Sequence, residues 1–300
     1  MTDETGSDGR FAPGPPAPLA RQGLIRYASF TKDPAGGNPA GVVPDAAGMS
    51  DAEMQAIAAD VGYSETAFVT KSDDIARRYH VRYFSPLVEV AFCGHATVAT
   101  AVALAHRMGP GPLVFDTNAG EIPVATGLRD GLPSATLTSV ATRTGPVADA
   151  ALADALSALG WASNDLHPEF PPLVGFGGME HLILPVRTRQ RLAELDYDFT
   201  GLAELMTRSG WTTVHLFWPE SGTVFHARDP FPVGGVVEDP ATGAAAAAFG
   251  GYLRDLGRIG TPTRLTVHQG VDMGRPSELL VDVDPDEPRV RVTGHAVPIA

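Results

Sequence analysis

Two stretches of this chain read as helices with almost no large side chain on any face: ATVATAVALA at 96–105 and GAAAAAFGG at 243–251. A helix lying on a protein surface needs an apolar stripe and a polar back. These two have neither, so each predicts a helix packed closely on every side and enclosed by strands. Their flanks repeat as well. FCGHATVATAVALAHRMG and EDPATGAAAAAFGGYLRDLG superpose with Gly109 on Gly257, an offset of 148, and the strands that follow, LVFDTNAG and LTVHQG, bring Gly120 onto Gly270 at an offset of 150. The expectation is an internal repeat of two halves, each wrapping strands around one central helix. A pseudo-twofold between them brings the two helix starts face to face at a cleft. Opposed helix starts present free backbone amides and positive dipole ends, which suits a carboxylate or phosphate without any lysine or arginine.

The 300 residues allow one large domain or two of ordinary size, and 44% apolar with 19% charged residues describes a globular chain. Glycine and proline, 33 and 26 of them, make up a fifth of it and argue for many turns between short elements, against coiled coils. The formal charge of −13 repels phosphate backbones and anionic membranes, and no basic stripe offsets it, so neither nucleic acid nor membrane is an expected partner. Lys32 and Lys71 are the only lysines, which leaves Schiff-base chemistry almost without a candidate. The single cysteine, Cys93, rules out an intrachain disulfide, a zinc site with several thiolates and a racemase working with two opposed thiols. No HExxH, paired CxxC or GxxxxGK[ST] occurs, and GFGGME at 175–180 lacks dinucleotide-binding spacing, so neither a metal nor a cofactor is expected. With no apolar run near 18 residues and no signal-like start, the cytoplasm is the expected compartment.

Residues 1–22 have the composition of a disordered tail, and regular structure is expected from Leu24. LIRYASF reads as a strand, GGNPAG as a tight turn, and the VV after it as the start of a second strand. Ser50 opens a helix with an S-x-x-E capping box to Glu53 and a staple between Met49 and Met54; Gly62 ends it. ETAFV (65–69) and RYHVRYF (78–84) read as strands, the second with Tyr79, Val81 and Tyr83 on one side. Gly94 and His95 precede the first small-residue helix, while Asp239 and Pro240 suit the N-cap and first position of the second. Residues 164–178 read as loop, and VADAALADALSALG starts a surface helix. The domains are expected at 23–135 and 136–300, with the final strand free to pack back on the first. The fold class is α+β: two pseudo-symmetric domains, each a barrel-like sheet around a central helix.

In order along the chain stand GNPAGVV, SETAFV, RYFSPLVEVAFCGHATVATA, EDPATGAAAAAFGGYL and HQGVDMGRPSEL. This series resembles the PhzF family, phenazine-biosynthesis-like isomerases with the diaminopimelate epimerase fold, from about Leu24 to the end. The resemblance implies a cofactor-free active site between two similar domains, a homodimer, and a small carboxylate-bearing substrate. It makes Glu65 of SETAFV the acid/base, with His95 and Asp239 as catalytic groups that hold or relay protons. Asn38, Gly94, Thr242, Gly243, position 244 and Gln269 fall where the family binds substrate. After EDPATG the family commonly has Ser; Ala244 here removes a hydroxyl, so the resemblance speaks for the reaction class more than for the phenazine precursor.

Taken alone, Glu65 is also what a solvated strand-entrance carboxylate looks like, Asp239 what a helix cap looks like, and His95 what a satisfied core histidine looks like. Cys93 reads as a small packing residue. The leading expectation is an isomerase in which Glu65 moves a proton next to a carboxylate. The alternatives are an epimerase with Asp239 or His95 on the opposite face, and a noncatalytic small-molecule binder.

Overall fold

The computed structural model describes residues 23–300, so the expected tail at 1–22 lies outside the described residues. The first half runs β1 (Ile25–Ser29), β2 (Asn38–Val43), α1 (Asp51–Val61), β3 (Glu65–Asp73), β4 (Arg78–Phe84), β5 (Glu89–Val90), α2 (Gly94–Met108), β6 (Gly111–Thr117), β7 (Gly120–Arg129) and β8 (Leu132–Ala141). The second runs β9 (Arg143–Pro146), α3 (Asp149–Ala158), β10 (Leu173–Phe176), β11 (Glu180–Pro185), α4 (Arg189–Ala193), α5 (Phe199–Ser209), β12 (Trp211–Pro219), β13 (Val224–Pro230), β14 (Glu238–Asp239), α6 (Gly243–Asp255), β15 (Thr263–Gln269), β16 (Ser277–Val283) and β17 (Arg289–Pro298).

The pairings close a ring of eight strands, β1-β2-β3-β4-β6-β7-β8-β17 and back to β1. Inside it lies α2, with every residue from His95 to Ala105 buried. The second sheet follows the same plan, β10-β11-β12-β13-β15-β16-β17, with β9 on the far side of β10. Only Thr142 separates β8 from β9, and its N–H donates to the Pro288 carbonyl at 2.8 Å, so this sheet also returns to β17, around α6.

The repeat shows in strand direction. β2–β3 and β4–β6 are parallel in the first half, β11–β12 and β13–β15 in the second, and all other named pairs are antiparallel. Parallel neighbours need a long crossover. In each half one crossover runs outside the barrel, α1 or α4–α5, and the other is the central helix.

Enclosure accounts for the small side chains. A methyl group at Gly250 would meet Val281, Val283 and Val290 at 2.9–3.1 Å, and one at Gly251 would stand 2.3 Å from Thr142 Oγ1. Larger residues cover the outside: α1 seats Met54 and Ala58 on Phe68 and Phe84, while Leu202, Leu205 and Met206 of α5 lie on Val214 and Leu216 of β12. Helix α1 keeps its expected capping box at Ser50, and Gly62 ends it at φ 69°.

Four local expectations are corrected. The strand at GGNPAG begins at Asn38, because residues 38–42 pair with β1; pairing with β3 starts only at Ala40, so Pro39 interrupts no second ladder. Residues 173–176 form β10 between β9 and β11, although LVGF is too short to show an alternation. Gly94 and His95 are the first two residues of α2 rather than its approach. Asp239 does not cap α6: it pairs with Asp229 in a two-residue strand, and Thr242 takes the cap position. The boundary expected between 135 and 136 falls inside β8. Among the described residues no helix is long and apolar enough to cross a membrane.

Candidate active site

The two central helices begin opposite each other. A methyl group added at Gly94 would lie 3.9 Å from the Gly243 Cα, ordinary van der Waals contact, so the two helix starts face each other closely. The first amides of a helix have no carbonyl one turn back to bond. Here both sets open toward the same gap.

On the first-half side, Glu65 is the first residue of β3, paired in parallel with Ala40, and its side chain is 15% exposed. Its Oε2 lies 3.4 Å from both His95 Nε2 and Cys93 Sγ, and Ser64 Oγ is 3.3 Å from the same His95 nitrogen. Cys93 Sγ stands 3.3 Å from His95 Nδ1. Ser29 Oγ donates to the His95 carbonyl at 2.7 Å and fixes the helix start. Burial pushes the His95 imidazole below its ordinary value, opposed by the charge of Glu65, and favours its neutral form. Burial, with Glu65 and Asp239 nearby, pushes the Cys93 thiol well up and keeps it protonated. Sequence reasoning took Cys93 for packing alone. Its place just before Gly94–His95 was the signal that it shares their helix start.

On the second-half side stands Asp239. Its Oδ1 accepts from Asn38 Nδ2 at 2.7 Å and its Oδ2 from Thr242 Oγ1 at 2.6 Å. Desolvation by burial, reinforced by the charges of Glu65 and Asp229, pushes its carboxyl up to about 8 against the pull of those two hydrogen bonds. At neutral pH this balance favours the protonated carboxyl. Glu65 and Asp239 are therefore two carboxyl groups, one from each half, close enough to feel each other's charge.

The other site residues divide by reach. Gln269 is fully buried: its amide donates to the Asp239 carbonyl and Thr242 Oγ1, and its oxygen accepts the Thr242 N–H. Asn38, also buried, donates to Asp239 and to the Ala241 carbonyl. Both brace the 239–242 turn from behind. Gly94, Gly243 and Ala244 are half-buried at the gap.

Among the described residues, Glu65, Cys93 and His95 are the one trio whose donor atoms, all within 4.8 Å of one another, could hold a metal ion. As it stands the trio is a hydrogen-bonded cluster around a protonated thiol. A surface hollow of about 650 Å³, lined by Pro262, Arg264, Asp282 and Arg289 among others, lies outside the barrels on β15–β17; Arg264 there is already paired with Asp282 and Arg289 with Glu287.

The chain is similar to known proteins along nearly all of its described length. The family model described as phenazine biosynthesis-like protein matches residues 27–300. An uncharacterized isomerase of Deinococcus radiodurans is 36% identical over 276 residues, covering 89% of this chain and 88% of its own. Trans-2,3-dihydro-3-hydroxyanthranilate isomerase of Pseudomonas chlororaphis is 30% identical over 274 residues, covering 90% and 94%. The crystal structure of a PhzF-family phenazine biosynthesis protein from Bacillus anthracis superposes with a TM-score of 0.83 at 28% identity, covering 92% of this chain and 96% of that one. With a match spanning both barrels and both helix starts, the chain belongs to the PhzF family of phenazine biosynthesis-like isomerases.

Proposed function

We propose that this protein shifts a proton within a small carboxylate-bearing substrate held between the two helix starts, using side chains alone, with Glu65 as the acid/base. The observation that carries the reading is the pairing across the gap of Glu65, beside a neutral His95, with Asp239, whose carboxyl is pushed up to about 8. One carboxylate is placed to take a proton and one carboxyl to give it, the division that general acid–base chemistry needs.

In this reading the substrate carboxylate sits on the amides at Gly94–His95 and Thr242–Gly243, where helix dipoles stabilise it and the charge that develops on deprotonation. Glu65 Oε2 takes a proton from the adjacent carbon, the double-bond electrons shift, and Asp239 gives its proton to another carbon of the same molecule; exchange with water then deprotonates Glu65 and reprotonates Asp239 for the next turnover. The relative from Pseudomonas chlororaphis is named for an unsaturated, hydroxylated amino acid. We extend to this chain an unsaturated or α-acidic carboxylate, with Ala244 making the pocket poorer in hydroxyl donors. The position of Asp239 on the other half also favours a second reading, inversion of one carbon. Product stereochemistry separates the two.

The test is solvent deuterium uptake by a panel of small carboxylic acids, followed by mass. Wild-type protein labels at least one acid, and Glu65→Gln lowers the rate by more than ~100-fold while the fold is kept, since the amide preserves shape but carries no proton. A variant retaining over roughly a tenth of the rate would remove Glu65 from the role, and a panel left both unlabelled and unisomerised by wild type would leave a binding protein.

A further inference from the structure

Beneath Asp239, inside the second barrel, lies a polar cluster that the site as described does not use. His181 of β11, Thr213 and His215 of β12 and Asp229 of β13 are each at most 1% exposed, lining positions where a barrel interior is normally apolar. Every donor in the cluster is directed, in sequence, at Asp229. His215 Nδ1 lies 3.0 and 3.2 Å from its two oxygens, Thr213 Oγ1 donates to Oδ1 at 3.3 Å, and His181 Nδ1 stands 2.8 Å from that hydroxyl. The Nε2 atoms of both histidines have no partner. An Nε2–H there would be a buried donor without an acceptor, so the hydrogen bonds assign the neutral Nδ1–H tautomer to each ring. Each hydrogen bond of the cluster thus leads to the Asp229 carboxylate, the one acidic side chain in it.

That charge has one carboxyl opposite it. Asp229 and Asp239 are direct partners in the β13–β14 pair, which puts their side chains on one face with Cβ atoms about 5 Å apart. The groups facing this pair from other elements are Glu65 of β3 and the Cys93 thiol at the start of α2; Asn38, Thr242 and Gln269 contribute neutral hydrogen bonds. Arg228, the neighbouring cation, alternates to the outer face, where it is paired with Glu238. The first half has no such pair: Tyr83 and Val90 are the partners between β4 and β5.

We propose that Asp229, anchored by His215 and Thr213, is a positioning residue for Asp239, its fixed charge across the strand pair adding to burial and to Glu65 in keeping the proton on Asp239. The proposal rests on the acid–base reading above for its function, but its test needs no substrate. Full-length protein labelled with carbon-13 at the aspartate carboxyls is titrated by NMR, and the Asp239 signal is identified by its loss in Asp239→Asn. Asp229→Asn removes the charge. His215→Phe removes the closest donor that holds this carboxylate in place. In either variant the Asp239 midpoint falls by about one pH unit or more, tenfold in proton affinity, as expected for losing a like charge at this range. A midpoint within ~0.3 unit of wild type in a folded variant overturns the proposal, whatever Glu65→Gln does to turnover. A structural role alone would change the unfolding curve and leave this midpoint in place.

Discussion

The raised carboxyl of Asp239 makes a prediction about stability whose sign is fixed. In the unfolded chain Asp239 titrates near its ordinary 3.8, and in the folded protein at about 8. Between these values the folded state binds the extra proton, so its contribution is fully present below pH 3.8 and is lost as pH rises toward 8. Asp239→Asn mimics the protonated form: the new amide donates to Thr242 Oγ1 and its oxygen accepts from Asn38, without a titration. Between pH 5 and 9 about three units of linkage fall away in wild type, a ceiling of roughly 4 kcal/mol. Asp239 as a residue is only partly buried, and discounting for solvent screening brings the expected difference to about 2 kcal/mol. Urea unfolding of both proteins at pH 5 and pH 9 measures it. The variant should gain on wild type by that amount at the higher pH, about 5 °C if read as Tm. His95, His106, His181 and His295, all lowered mainly by burial, give slopes of the opposite sign, since each adds stability as pH rises toward 6.5. They act equally in both proteins, so only the difference counts. A gap between the two curves that does not change with pH would refute the raised carboxyl and the acid role built on it.

Two more expectations follow from the helix starts and helix interiors. Ala244→Ser restores a hydroxyl at the second residue of α6 and should change relative preference among hydroxylated and plain acids severalfold, the worth of one hydrogen bond of about 0.5–1.5 kcal/mol; an unchanged profile across the deuterium-uptake panel would show that position 244 does not face the ligand. Gly251→Ala sets a methyl 2.3 Å from Thr142 Oγ1 and 2.6 Å from its Cβ, at the link between β8 and β9, and should cost about 1–3 kcal/mol in urea unfolding, while a neutral result would mean that α6 is free to shift.

What the sequence discloses and what it hides follow contact range. Helix α1 was legible to the residue, because capping box, staple and terminal glycine are all local. The enclosed helices were legible through composition, since nothing but enclosure suits a helix of alanine and glycine. Glu65, His95 and Asp239 were nameable from motifs, and the structure brings them to one gap. The bracing by Asn38 and Gln269 was not legible, because it joins residues 201 and 30 positions apart whose side chains look equally fit to meet a ligand. The Asp229–His215 cluster was invisible for a related reason: a histidine and an aspartate on neighbouring strands look like ordinary surface residues until the barrel turns them inward. At β10 and at the start of β2, partner strands decide the conformation, and local propensity says little.

One strand belongs to both barrels. β17 pairs with β8 along one edge and with β16 and then β1 along the other, and its partner Tyr27 stands 271 residues before Pro298. During synthesis the first half therefore leaves the ribosome as an open sheet, with β1 and β8 as bare edges until residues 289–298 follow. Neither half can complete its hydrogen bonding alone, and loop closure over that span comes late and slowly. The duplicated architecture is thus no longer two separable units. A nascent or truncated chain lacking the last strand would present two unpaired edges at once, the surfaces on which sheets join to one another and aggregate.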